Sequence, residues 1–401
     1  MKGRIVLKFY YYRETAFRRS FLADKEKKSI FRSNRVRAAV FLCLIAVIFL
    51  LLNKVFCFAD AEKTNTIFEQ FYATEEDTVD MVYFGTSATQ RAFVVPWAYH
   101  NYGVASFSVG TGRQPFVLTR YLMEEAEKTQ DPKLFIVELR GICKGPDDIK
   151  DVPVRRVIDN MKNSRTKYDA VKCVTEYASN GENSVDDDVL SYFVPLIKYH
   201  GRWNPSKQPD YTPNVFYYHG YTVDCGVCYK LREIFPFDFT DEAIPVAPEE
   251  EEVLNELLDY CDSLDAEVLF VVSPYEATEA GMRKLNYAQK IVEDRGYEVL
   301  NFLSRDMQKK IGVADKTSYY NREHLNLYGS LLYTDFLSQY IQKNYGIPDR
   351  RGDGVHDSWE ADYQSMKKTM EETPDYVEKL AEMKKGLKAL NETNVDEVLQ
   401  F

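Results

Sequence analysis

What is scarce in this chain narrows its chemistry first. Positive charge is in deficit: 51 Lys and Arg face 62 Asp and Glu over 401 residues, a formal net charge of -11. A surface of that sign repels a polyanion, which argues against nucleic acid as a partner. Metal-ligand patterns are sparse. Cys225-Gly226-Val227-Cys228 is one C-x-x-C, half of a tetrahedral zinc site. It follows Tyr221-Thr222-Val223-Asp224, with no strand-to-helix entry of the thioredoxin kind, so a local disulfide or plain loop thiols are expected before a redox or metal role. No motif implies a metal or an organic cofactor. There is no internal repeat and no low-complexity block. What is abundant is apolar and aromatic: 45% hydrophobic residues, 29 Tyr and 24 Phe. With 28% charged residues this is a folded chain, long enough for one large domain or two small ones. Core filling is the first expectation for the aromatics, and platforms for sugar faces the second.

Charge is unevenly spread. Residues 1–37 carry twelve Lys and Arg against three Asp and Glu. An unbroken apolar run, Ala38 to Leu52, follows; Asn53 and Lys54 interrupt it before Val55-Phe56-Cys57-Phe58. About 20 residues suffice to cross a bilayer as a helix, and Lys54 can snorkel to the far interface. The basic flank places residues 1–37 in the cytoplasm and the chain from 60 onward outside it. A cleaved signal peptide is the rival reading. The long leader and the lack of a clean small-x-small site favour an uncleaved anchor. Without the leader, the outer part is strongly acidic, roughly -20.

Beyond the anchor, residues 60–79 read as a helical stalk. Five short apolar runs then read as strands: Met81–Phe84, Ala105–Val109, Leu134–Leu139, Val268–Val272 and Tyr297–Leu300. Between them, Gln114–Lys128, Glu249–Leu264 and Met282–Arg295 carry apolar residues at helical spacing. Alternating strands and helices predict a parallel sheet covered on both faces. Residues 145–248 break the rhythm with Pro, Gly, the acidic Asp186-Asp187-Asp188 and the aromatic stretch Val215–Tyr221. They read as an insertion that caps the strand ends. Residues 346–401 read as a charged helical tail, with helical patterning from Tyr363 to Leu390, packed on the domain or offered to a partner. The expected organisation is therefore a leader 1–37, a transmembrane helix 38–58, a stalk 60–79, an α/β domain 80–345 with the insertion 145–248, and the tail.

The most telling stretch is Asp80–Phe93, D-M-V-Y-F-G-T-S-A-T-Q-R-A-F. An apolar strand ending in Gly85-Thr86-Ser87 delivers Ser87 to the carboxyl edge of a sheet, where open α/β sheets bind ligands. Far downstream stands Asn321-Arg322-Glu323-His324-Leu325-Asn326. A serine needs a base to become a nucleophile, and a histidine can serve near neutral pH. Taken alone, Ser87 reads as a turn or N-cap residue and His324 as a structural histidine. A third constellation is Tyr199-His200-Gly201-Arg202-Trp203. There Arg202 can clamp a phosphate or carboxylate and Trp203 can stack on a sugar; a buried Trp and a solvated Arg are the plainer reading.

These blocks, in this order, resemble the SGNH/GDSL hydrolase superfamily. They look most like its membrane-anchored bacterial branch, which includes the teichoic acid D-alanylation protein DltD. Gly85-Thr86-Ser87 stands where that superfamily has its Gly-x-Ser block, Ser108-Val109-Gly110 where it has Asn-x-Gly, and Asn321–His324 where it has Asp-x-x-His. His324-Leu325-Asn326 with Gly329 resembles the closing motif of that branch, and His200 and Arg202 match a His-x-Arg-Trp stretch seen in it. The resemblance covers most of residues 80–342. It implies a three-layer α/β/α, flavodoxin-like domain, a Ser87 nucleophile, a His324 base, and an oxyanion site at the backbone N–H groups of Ser87 and Gly110. The third block, Gly-x-Asn-Asp, is missing: after the third strand stands Glu138-Leu139-Arg140-Gly141, so Arg140 or Gln114 becomes the candidate extra donor. Asn321 departs from the expected Asp. An Asn can bond the imidazole but cannot stabilise its cation, and it can favour the wrong tautomer. Glu323 and Asp315 are possible replacements.

Two functions follow as expectations. One is an esterase or O-acyltransferase that forms an acyl-Ser87 intermediate on a cell-envelope polymer or lipid-linked glycan. The other is a catalytically impaired binding or assembly component of an envelope acylation machine, with a membrane-bound O-acyltransferase as its partner by family analogy.

Overall fold

The computed structural model describes residues 34–58, 63–179, 185–203, 217–226, 239–313, 317–372 and 374–389. The chain divides into two units. The first holds the helix Asn34–Val55 and residues Val194–Arg202. That helix is long and apolar enough to cross a membrane, with a mean hydropathy of 2.6 over Asn34–Asn53, and no part of it is buried in protein. Within this unit the short helix Pro195–Tyr199 sits against it, the Leu196 N–H bonding Asn53 Oδ1 at 3.0 Å.

The second unit is α/β. Five strands form its sheet: β1 (Met81–Thr86), β2 (Ser106–Thr111), β3 (Leu134–Glu138), β4 (Glu267–Val272) and β5 (Glu298–Asn301). Their order is β2-β1-β3-β4-β5 and every pairing is parallel, which is the flavodoxin-like arrangement. All five strands overlap runs legible in the sequence. β1, β2 and β3 are buried almost throughout, because helices cover both faces. Thr119–Ala126, Pro248–Cys261 and Glu279–Asp294 follow β2, β3 and β4; Leu327–Tyr345 packs against both Ser87–Ala92 and Val95–Tyr102. A separate antiparallel hairpin, β6 (Tyr319–Asn321) and β7 (His324–Leu325), carries the downstream motif.

The order places the switch between β1 and β3, where the chain runs off in opposite directions from the sheet centre. In open α/β sheets that switch point, at the carboxyl ends of the strands, is where ligands bind. Ser87 is the first residue after β1 at that edge.

Three expectations change in detail. The helix Asn65–Ala73 is no free stalk. It buries Ile67, Phe68 and Phe71, and the Phe71 ring meets Phe107 of β2 at 5.1 Å. Three such side chains are worth about 1.5–3 kcal/mol each, enough to hold the helix on the domain. The described part of the insertion also packs on the domain. Arg155, 1% exposed, bonds Asp159 at 3.2 Å and Asp186 at 3.0 Å under the Tyr192 ring, so one residue of the acidic run is a half-buried partner of a buried arginine. Further along, the insertion covers the free edge of β2: the Ser108 N–H bonds the His219 carbonyl at 3.0 Å. Covering an edge strand removes a site of unwanted pairing. The tail begins its helix at Asp357, earlier than the periodicity indicates, and packs on the same side. Trp359 Nε1 donates to the Ser106 carbonyl at 2.8 Å. Cys228 lies outside the described residues, so the C-x-x-C is not described as a pair.

Candidate functional site

β1 ends in Gly85-Thr86, and the chain folds straight into the helix Ser87–Ala92. The Thr86 side chain caps that helix by accepting from the Ala88 N–H at 3.3 Å. Glycine is required at 85: a Cβ there would lie 2.3 Å from Thr89 Oγ1 and 2.6 Å from Glu138 Cβ. The same close approach governs Gly110, whose Cβ would lie 2.7 Å from the Thr86 carbonyl oxygen. Gly85 and Gly110 are register partners in β1 and β2, so the two blocks stand side by side at the serine turn. Gln90 ties them together, its Nε2 donating to the Gly110 carbonyl at 2.7 Å.

Ser87 and His324 meet although 237 positions separate them: Ser87 Oγ lies 2.8 Å from His324 Nε2. Behind the imidazole, His324 Nδ1 lies 2.9 Å from Asn321 Oδ1. The same Asn oxygen accepts from the Glu323 N–H at 2.9 Å and the His324 N–H at 3.0 Å. Those two backbone donors fix which end of the amide faces the ring, because an NH2 group there would oppose them. With oxygen facing it, Nδ1 must carry the proton. Nε2 then presents its lone pair to the Ser87 hydroxyl. The wrong-tautomer expectation for Asn321 is therefore corrected: an Asn pinned by its own turn holds the proton on Nδ1. Glu323 does not replace it, and Asp315 lies outside the described residues.

The electrostatics are unusual for a serine-histidine pair. The His324 pKa is pushed down to about 3, first by burial, then by the Arg91 and Arg140 guanidiniums. Among the described residues no carboxylate bonds the ring. The imidazole is thus neutral across the neutral range and able to accept a proton, although it is a weak base. Arg91 itself pairs with Asp224 of the insertion, so residues 217–226 reach the rim of the site. There Gly226 lies against the Tyr320 ring, and Asn326 Nδ2 donates to its carbonyl at 3.2 Å.

The remaining candidates separate. Arg140 lies near the triad, but its Nη1 donates to the Glu323 carbonyl at 2.9 Å and its guanidinium stacks on Tyr275 at 3.8 Å. Its Nη1 is thus committed to the histidine's turn. Gln114 lies three residues past Thr111, the strand partner of Thr86, and its N–H bonds the Thr111 carbonyl at 3.1 Å. It is 4% exposed, and neither amide atom of its side chain has a partner among the described residues. His200 and Arg202 belong to the first unit, in the 3-10 turn His200–Trp203, where His200 Nδ1 bonds the Ile197 carbonyl at 2.8 Å.

Sequence reasoning missed Glu138 and Glu276. Glu138 is buried at the end of β3. It accepts from the Ser273 N–H at 3.1 Å and the Arg140 N–H at 3.3 Å, and burial raises its pKa. Glu276 bonds Arg322 through two contacts at 2.7 and 2.9 Å. The only signal was an acidic residue at or just past a strand's carboxyl end. Among the described residues, no cluster of His, Cys, Asp and Glu could hold a metal ion. Neither family models nor curated proteins yield a match to this chain.

Proposed function

We propose that this chain is a serine hydrolase or O-acyltransferase of the SGNH type, held at the outer face of a cell membrane by its N-terminal helix. Its substrate on this reading is an ester on a cell-envelope glycan or polymer. The observation that carries the proposal is the continuous chain Ser87 Oγ, His324 Nε2, His324 Nδ1, Asn321 Oδ1 at 2.8 and 2.9 Å. The order of the Gly-x-Ser, x-x-Gly and x-x-x-His blocks supports the family, and the basic leader supports the orientation.

In the proposed reaction, His324 Nε2 takes the Ser87 proton as Oγ attacks the ester carbonyl carbon. Backbone N–H groups of Ser87 and Gly110 stabilise the oxyanion. The proton then passes from Nε2 to the leaving alcohol, the ester C–O bond breaks, and acyl-Ser87 remains. Water, or a hydroxyl of an acceptor sugar, repeats the sequence in reverse and frees the serine. The buried, unpartnered Gln114 amide is the best candidate for a substrate contact near this centre.

One observation favours a second reading. A histidine with a pKa near 3 and no carboxylate behind it is a poor base. A binding or assembly component, partnering a membrane-bound O-acyltransferase, would need no better. A fluorophosphonate probe on the full chain in detergent separates the two. Labelling lost in Ser87→Ala supports the enzyme; an unlabelled but folded wild type leaves the binding role.

A further inference from the structure

The hairpin that carries Asn321 and His324 is not part of the five-stranded sheet. No ladder bond joins β6 or β7 to β1. A two-stranded hairpin is marginal by itself; β7 is anchored on its C-terminal side, where it runs into the buried helix Leu327–Tyr345 and packs on Ser87–Ala92. Yet proton transfer demands that Nε2 stay within hydrogen-bonding reach of Ser87 Oγ, and a displacement of about 1 Å costs on the order of 10²-fold in rate. On its other side, toward β6, the Asn321–His324 turn needs ties of its own to the sheet edge.

We infer that Arg140 is a positioning residue, which together with Glu138 clamps the Asn321–His324 turn onto the carboxyl ends of β3 and β4. The inference rests on reading Ser87 and His324 as nucleophile and base. The two residues between Asn321 and His324 are both gripped. Glu323 offers its carbonyl to Arg140 Nη1 at 2.9 Å. Arg322 takes the two Glu276 contacts, and the Glu276 N–H returns a bond to the Arg322 carbonyl at 2.8 Å. Each grip starts from a residue just past a strand end. Glu138 closes β3, and its carboxylate takes the backbone N–H of Arg140 and, across the sheet, that of Ser273, the first residue after β4. Tyr275 and Glu276 follow on the same segment: Tyr275 is the face on which the Arg140 guanidinium lies, and Glu276 is the partner of Arg322.

The arrangement suits an arginine and no other side chain. A planar guanidinium can stack on an aromatic ring and donate in its own plane at once. A lysine keeps the charge but loses the stack and the fixed donor direction. The positive charge has a second effect, since it opposes protonation of the neighbouring imidazole.

Two readouts on the full chain in detergent test the clamp. The first is hydrogen–deuterium exchange, which needs no activity. In Arg140→Ala, a peptide covering Tyr319–Asn326 should exchange about tenfold faster, with β1 peptides unchanged. The second is the rate of fluorophosphonate labelling against pH. It should fall roughly 10–100-fold, and its acid limb should move to higher pH because a positive neighbour of His324 is gone. Arg140→Lys should keep the acid limb low while loosening the hairpin, and it carries the test if Arg140→Ala does not fold. Unchanged hairpin exchange overturns the clamp, whatever the labelling does. Faster exchange everywhere also overturns it, since Arg140 would then support the fold alone. If the wild type is not labelled, the reading of Ser87 fails, and the exchange data still decide the clamp.

Discussion

Replacing Asn321 by Asp tests the unusual triad most directly. The Asp oxygen can keep all three bonds that Asn321 Oδ1 accepts, from the Glu323 N–H, the His324 N–H and the His324 ring. What changes is the charge. A carboxylate and an imidazolium centred about 4 Å apart attract by roughly 4 kcal/mol at an effective dielectric constant of 20. At 1.36 kcal/mol per pKa unit, that is about 3 units. His324, held near 3 by burial and two guanidiniums, would rise toward about 6. A stronger base at working pH speeds proton removal from Ser87, and a Brønsted slope near one half makes three units worth about 30-fold. The assay is the fluorophosphonate labelling rate of the full chain from pH 4 to 8, with Ser87→Ala as the blank. Asn321→Asp should react faster at pH 7.5 and lose its rate as pH falls through about 6, where the wild type does not. An acid limb that stays in place, or an Asp variant slower at every pH, would refute the account of His324 as a base starved of a carboxylate. Asn321→Ala supplies the opposite arm. It removes the tautomer lock and should cut labelling by about 10²-fold or more.

Other consequences are as open to measurement. The folded His324 pKa is depressed while the unfolded value is near 6.5. The stability that goes with a neutral imidazole is therefore present above pH 6.5 and is lost as pH falls toward 3. Between pH 7 and 4.5 the wild type should lose about 2–3 kcal/mol more than His324→Asn in urea titrations, and equal losses would contradict the shift. Gly85→Ala should destabilise the chain by about 1–3 kcal/mol, because the new methyl meets Thr89 and Glu138 inside contact distance; an unchanged melting temperature would show that the strand end is looser than described. Trp359 is 1% exposed, bonds Ser106 and stacks on His219 at 4.2 Å. Trp359→Ala should cost about 3–5 kcal/mol and expose the tail helix to protease before the sheet unfolds; simultaneous loss of both would mean the tail is one cooperative piece with the domain.

Much of the fold could be read from residue order. Five apolar runs of strand length, spaced by helical patterns, can hardly avoid a parallel sheet, since each helix must bury its stripe and each strand is apolar on both faces. The unbroken run from Ala38 to Leu52 likewise marks a membrane-length helix without reference to any fold. Ser87 was legible because Gly85-Thr86-Ser87 closes a strand, and strand ends are where such sheets work. Boundaries were less legible: the helix Asn65–Ala73 looked like a stalk because its few apolar residues gain meaning only against Phe107.

The site's working parts depended on tertiary structure. That Asn321 holds the His324 proton on Nδ1 follows from two backbone N–H groups aimed at one oxygen, a matter of turn geometry that no residue letter encodes. That Arg140 meets the Glu323 carbonyl follows from where Tyr275 and the hairpin lie after some 180 residues of intervening chain. The charge that lowers the His324 pKa comes from residues distant in sequence, and so does the burial that dominates it. Local propensity and hydrophobic period are properties of neighbours along the chain, so the sequence determines sheet, helices and span. Hydrogen-bond direction, desolvation and Coulomb interaction are properties of neighbours in space, so only the folded chain decides what Ser87 and His324 can do.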